Sequence, residues 1–193
     1  MTTPHAPQPV HYTRYVRALL KYALIMLVVS LLAGVAFQES SKKLPPGPVA
    51  DGFSRWDATM HLALVHGHTM MIGVLVPVAL AGMLHLARAH GAREVSRKGL
   101  AWTVGLYVPF SALTVLLMLY KGYHVLLSAR FGKTDPGAID AALFAGSKGL
   151  RHGVYGLCHV AMAVGLFIFV WCLWRSMGDR SKVAGHRSQV GGA

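Results

Sequence analysis

The sequence predicts an all-α integral membrane protein, a bundle of four transmembrane helices with both termini in the cytoplasm. Three observations carry this. Residues in the 193-residue chain are 54% hydrophobic and only 13% charged. The apolar residues gather into four windows of about 20 or more, each long enough at ~1.5 Å per residue to cross a hydrocarbon core of roughly 30 Å. The charges between the windows alternate in sign from loop to loop.

The windows fall near residues 18–37, 58–86, 100–128 and 150–174, inside a transmembrane domain over 18–176. The flanking segments, 1–17 and 177–193, are polar and rich in Pro, Gly or Ser, so they read as disordered cytoplasmic tails. The first window has a long polar lead, full spanning length and no A-x-A site after it. It is expected to stay as a helix rather than be cleaved as a signal. Pro45, Pro46, Gly47 and Pro48 forbid a helix between the first two windows, and Trp56 stands where an interfacial anchor belongs. The third loop is longer and has room for a helical turn after Asp135-Pro136, while Pro77 and Pro109 should kink the second and third helices.

The formal charge of +12 invites a nucleic-acid reading, but the cations lie where topology needs them. Arg14, Arg17 and Lys21 precede the first helix, Arg88, Arg93, Arg97 and Lys98 fill the second loop, and Arg175, Arg180, Lys182 and Arg187 follow the last helix. Glu39, Asp51, Asp57, Asp135 and Asp140 sit in the other two loops. The positive-inside rule then sets the orientation and excludes a nucleic-acid partner; lipid is the expected solvent, in a bacterial inner membrane. Cys158 and Cys172 share one helix about four turns apart and cannot pair. Neither a phosphate-binding glycine loop nor a hydrolase triad or paired acids can be read, so no catalytic residue is assigned. Carboxylates are missing from the depth of every window, which disfavours ion pumps.

Histidines are the distinctive feature. Of 11, six lie toward the outer ends of three windows: His61, His66 and His68 in the second, His124 in the third, His152 and His159 in the fourth. Ionisable side chains inside a bilayer are costly and normally face an interior or a cavity, so a shared site is expected. His61 and His68 are seven apart and share a face, whereas His66 and His68 differ by ~200°. On the fourth helix His152, Tyr155, Gly156 and His159 form one stripe, where small residues would let a flat macrocycle approach. His66 and His159 lie at matched depths, roughly 12–14 Å along their helices, as two axial ligands of a haem must. Lys121 and Arg151 lie near the outer boundary, placed to neutralise haem propionates or an anionic quinone oxygen, or to snorkel. His61, His68, His124 and His152 are candidates for a second metal, and Met60, Met70, Met71 and Met83 leave copper(I) open.

The stretch HGHTMMIGVLVP, His66 to Pro77, resembles the second helix of subunit I of the haem-copper oxidases, with its HG-x-x-M start and a proline eleven residues on. CHVAMAVGLFIF around His159 is similar to that family's tenth helix. Over these roughly 30 residues the resemblance implies a low-spin haem b with His66 and His159 as axial ligands. It does not extend to the oxygen-reducing centre, since there are four helices rather than twelve, LCH replaces the paired histidines, and the histidine-tyrosine motif is missing. The chain also resembles short bacterial four-helix membrane proteins with H-x-H in the second helix. The function these readings imply is a b-type cytochrome-like electron-transfer module. It would take electrons from a quinol or periplasmic carrier, within a larger complex or a homo-oligomer. The alternatives are a copper- or haem-handling assembly factor for a respiratory oxidase, and a structural membrane subunit.

Overall fold

A computed structural model describes residues 10–44, 53–133 and 135–178. The proline-rich stretch 45–48 and the ends of both expected tails lie outside these residues. Helix α1 spans Val10–Lys42, α2 Arg55–His68, α3 Val76–Ala89, α4 Arg97–Arg130, α5 Pro136–Ala141 and α6 Lys148–Ser176. A π-helical turn, Thr69–Leu75, joins α2 to α3 into one rod, so the described residues form four helices long and apolar enough to cross a membrane. Helix α1 begins at Val10 rather than residue 18, so residues 10–17, expected in the tail, are helical. Their charges are compatible with helix once the last turns need not sit in hydrocarbon. With four spans, the start of α1 and the end of α6 lie at the same end of the bundle, called inner here; the α1–α2 and α4–α6 connections form the outer end.

Helix starts follow the local chemistry of capping. Ser54 accepts the Asp57 amide and Asp57 accepts the Ser54 amide, a reciprocal capping box that begins α2. Ser96 and Ser147 cap α4 and α6 through the amides of Gly99 and Leu150. Asp135 caps α5 with Pro136 in the first position, the helical turn expected there. Within the second span the π turn sits just before Pro77, which has no N–H to donate and whose ring crowds the carbonyl four residues back. The wider turn carries the chain past it: the Val76 amide reaches Met71 O, and the Tyr107 hydroxyl donates to Ile72 O at 2.6 Å. Pro109, by contrast, lies within an unbroken α4.

At the inner end all four spans meet in one cluster, with Tyr12 and Leu19 against Leu84, Leu100, Phe169 and Leu173. The Arg93 amide donates to Ser176 O at 2.8 Å and the Val95 amide to the Tyr12 hydroxyl, tying α1, the α3–α4 loop and α6 together. At the outer end the cluster of Leu62, Val125, Leu126 and Ile139 joins the second span, α4 and α5, with no residue of α6. There α6 meets α4 through Tyr155 OH to Leu117 O at 3.1 Å and α5 through Arg151 and Asp140, while farther in Gly165, whose missing side chain lets the α4 backbone at Thr103 and Tyr107 come close, seats α6 on α4. The fourth span therefore parts from the second toward the outer end and leaves a groove floored by α4. Elsewhere the spans present Leu24, Ile25, Leu32, Phe167 and Trp174 outward. Only 28–33% of each apolar window is buried, so most of the remainder is lipid-facing surface.

Candidate functional site

A cavity of about 310 Å³ occupies the outer part of this groove. Its walls are His61 from α2, Met118 and Lys121 from α4, and Arg151, His152 and Tyr155 from α6, with Asp140 of α5 closing one side. Four residues picked out by sequence, His61, Lys121, Arg151 and His152, thus converge although they come from three spans.

Asp140 holds the two cations. Its carboxylate accepts from Arg151 Nη1 at 2.5 Å and lies 3.3 Å from Lys121 Nζ. Partial burial works to raise the Asp140 pKa, but the hydrogen bonds from Arg151 and Lys121 outweigh it and hold the carboxyl below its usual range. The aspartate was one of the scattered loop acids in sequence, and no periodicity links a residue on a connecting helix to two spans. Beyond it, Phe144 and Ala145 adopt left-handed backbone angles, φ 54° and 53°, and the Phe144 ring packs edge-on against both Tyr120 and Tyr155. Those aromatic contacts help offset the cost of the unusual backbone.

The remaining sequence-selected histidines separate by direction. His66 turns away from the groove: its Nδ1 donates to Ser30 O at 2.8 Å, while Ser30 Oγ donates to His66 O at 3.0 Å. Gly34 makes room for the ring, since a β-carbon there would come within 3.1 Å of His66 Nδ1. His159, on α6, is exposed and bonded to its own helix, so the expected axial pair of His66 and His159 is not brought together. The physical reason is azimuth, because depth along two helices can match while the side chains face different neighbours. His124 is also diverted, with Nε2 donating to Ile139 O at 3.1 Å, where it docks α5. The four histidines expected to share a metal, His61, His68, His124 and His152, therefore do not converge. Among the described residues no group of three or more His, Cys, Asp or Glu side chains is gathered for an ion.

His68 and His159 stand in a different relation. Each is seven residues below a cavity histidine, His68 after His61 and His159 after His152. Seven helical residues return to within about 20° of the starting direction and descend about 10 Å. His61 and His152 line one cavity, and the same two helix faces carry His68 and His159 about two turns deeper. Both are exposed, and both are anchored alike: Nδ1 of His68 donates to Leu64 O at 2.9 Å and Nδ1 of His159 to Tyr155 O at 2.7 Å. A carbonyl oxygen only accepts, so each neutral ring carries its proton on Nδ1 and keeps the Nε2 lone pair for a ligand. This is the outer-sphere arrangement that orients metal-bound imidazoles. His90 makes the same bond at the inner end, so the anchor alone is not distinctive; its recurrence below both cavity histidines is. Between the two tiers Gly156 has open space where a side chain would stand.

Residues 16–176 match the family described as Protein of unknown function (DUF2871). Neither the curated proteins nor the solved structures contain a match to the chain.

Proposed function

Since the chain belongs to the DUF2871 family, whose description assigns no activity, we propose from its own geometry that it is a b-type cytochrome-like electron-transfer module, holding haem in the groove between the second and fourth spans. The observation that carries this reading is the like anchoring of His68 and His159, each on the helix face that carries a cavity histidine two turns above. Their fixed tautomer presents Nε2 as ligand, and Gly156 removes the side chain that would obstruct a flat ring. Lys121 and Arg151 lie about two turns toward the outer end, at a distance suited to carboxylate arms reaching up from a ring below. Asp140 would share them or swing aside. His66 has a positioning part, locking α1 to α2 through Ser30 behind the wall that carries His68.

Bound there, haem would supply a one-electron couple on its iron. The residues of the chain orient it, screen it from water with Met118 and Tyr155, and balance its charge. The charge pattern supports placing both termini in the cytoplasm of a bacterial inner membrane and the groove toward the outer leaflet. The electron donor in this scheme is a quinol or an outer-face carrier, and the acceptor a partner subunit.

The test is the absorbance spectrum of detergent-purified protein, oxidised and dithionite-reduced, with metal analysis of the same sample. A sharp reduced α-band at about one iron per chain is expected. Changing His68 or His159 to Ala should abolish it, while His66→Ala should keep it. A featureless spectrum from haem-replete cells refutes the reading; copper retained without haem would favour the metal-handling alternative. Loss with His66→Ala but not His68→Ala would return the ligand role to His66.

A further inference from the structure

Histidines inside the spans differ in whether their rings are already bonded. His66, His68, His124 and His159 each have a ring nitrogen donating to a backbone carbonyl, as do His11 and His90 nearer the inner end. His61 and His152 make no hydrogen bond to the described residues, and these two line the same cavity from opposite spans. His61 is half-buried, where an unsatisfied imidazole is costly unless water or a ligand completes it.

Four properties narrow the ligand. At about 310 Å³ the cavity is at the small end of organic ligand sites, suited to one or two fused rings and too small for a macrocycle. Lys121 and Arg151 already share the Asp140 carboxylate, so the ligand need not be an anion. Leu64, three residues after His61 and so on the flank of the same helix face, is exposed and offers an apolar passage to the bilayer. Met118 and Tyr155 offer a polarisable thioether and a ring face to an aromatic guest.

We infer that the outer cavity is a headgroup site for a membrane-dissolved quinone or quinol, with His61 and His152 as the hydrogen-bond partners of its ring oxygens. A neutral imidazole donates to a quinone carbonyl through its N–H or accepts a quinol O–H through its lone pair, so one pair of histidines serves both redox forms. The alkyl tail leaves past Leu64. The assignment names the electron donor of the electron-transfer reading and rests on that reading for its purpose; the binding chemistry is separate.

Purified full-length protein in detergent is titrated calorimetrically with decylubiquinone, a benzoquinone, and in parallel with a short-chain menaquinone, a naphthoquinone. Saturable binding of at least one is expected, the preferred ring being set by cavity width. His61→Ala and His152→Ala should each weaken it about tenfold, the scale of one lost hydrogen bond. His90→Ala should leave it unchanged. If either alanine variant misfolds, His61→Gln and His152→Gln keep the bulk and should retain part of the affinity. No saturable binding of either quinone, or equal affinity in wild type and both histidine variants, overturns the assignment. The wild-type absorbance spectrum taken beside the titration separates the two readings: quinone binding without a haem band sinks only the cytochrome, a haem band without quinone binding sinks only the headgroup site, and His68→Ala should lose the band while keeping the quinone affinity.

Discussion

Adding one methyl group at two glycines of α6 should have opposite effects, and the difference tests whether α6 rests on α4 as described. At Gly165 a β-carbon would lie 3.1 Å from Tyr107 N, 3.3 Å from Thr103 O and 3.3 Å from Leu106 Cβ. Two of these atoms are backbone and the third is fixed to it, so none can swing aside. At Gly153 nothing lies within 4 Å. Alanine favours helix over glycine by up to about 1 kcal/mol, the whole effect at position 153. Overpacking at 165 costs about 1–3 kcal/mol, from which the same gain is subtracted, giving a net loss of up to about 2 kcal/mol. The two variants should therefore differ by about 1–3 kcal/mol, roughly 5- to 150-fold in the unfolding equilibrium. Reversible unfolding in mixed micelles, followed by the fluorescence of Trp171 and Trp174 on α6, measures both. Equal shifts of the same sign would show that α4 and α6 do not meet at Gly165, and the groove would lose its floor.

Other consequences follow from the site and its supports. The depressed Asp140 pKa means that its ion pairs contribute fully above an ordinary carboxyl value of about 4 and are lost as pH falls through the folded value. The protection factors of the amides over residues 136–146, with the intrinsic pH dependence of exchange divided out, should hold from about pH 5 to 8, fall only in acid, and be low throughout in Asp140→Asn; an unchanged profile in that variant would remove the latch. Tyr107→Phe leaves the Ile72 carbonyl without its hydroxyl partner and should destabilise by about 1–3 kcal/mol in the same micelle assay, with no effect meaning that the π turn satisfies itself. Gly156→Leu has room to fold but fills the groove, so haem retained per chain should fall several-fold while the fold is no less stable; full retention would place haem elsewhere.

Much of the fold was legible because a bilayer leaves few solutions. Four long apolar runs with alternating loop charge admit few arrangements besides a four-span bundle, and capping signals such as Ser54 with Asp57 and Asp135 with Pro136 mark helix starts locally. The start of α1 was read eight residues late, since hydropathy marks where lipid begins and says nothing of where a helix does. The π turn was also missed, because the proline signals a disturbance in the helix but not which one.

In the site, sequence identified the residues and the structure assigned their neighbours. Helical periodicity alone determined that His61 and His68 share a face, that His152 and His159 share another, and that His66 points nearly opposite to His68. It could not determine which helix each face meets, since that depends on packing between distant segments. Gly34 and Ser30 draw His66 to α1, Ile139 takes His124, and the parting of α6 from the second span opens the groove where His68 and His159 remain. Depth and periodicity are one-dimensional properties written along a single helix. The pairing of faces is a property of four helices together, and only the tertiary structure decided it.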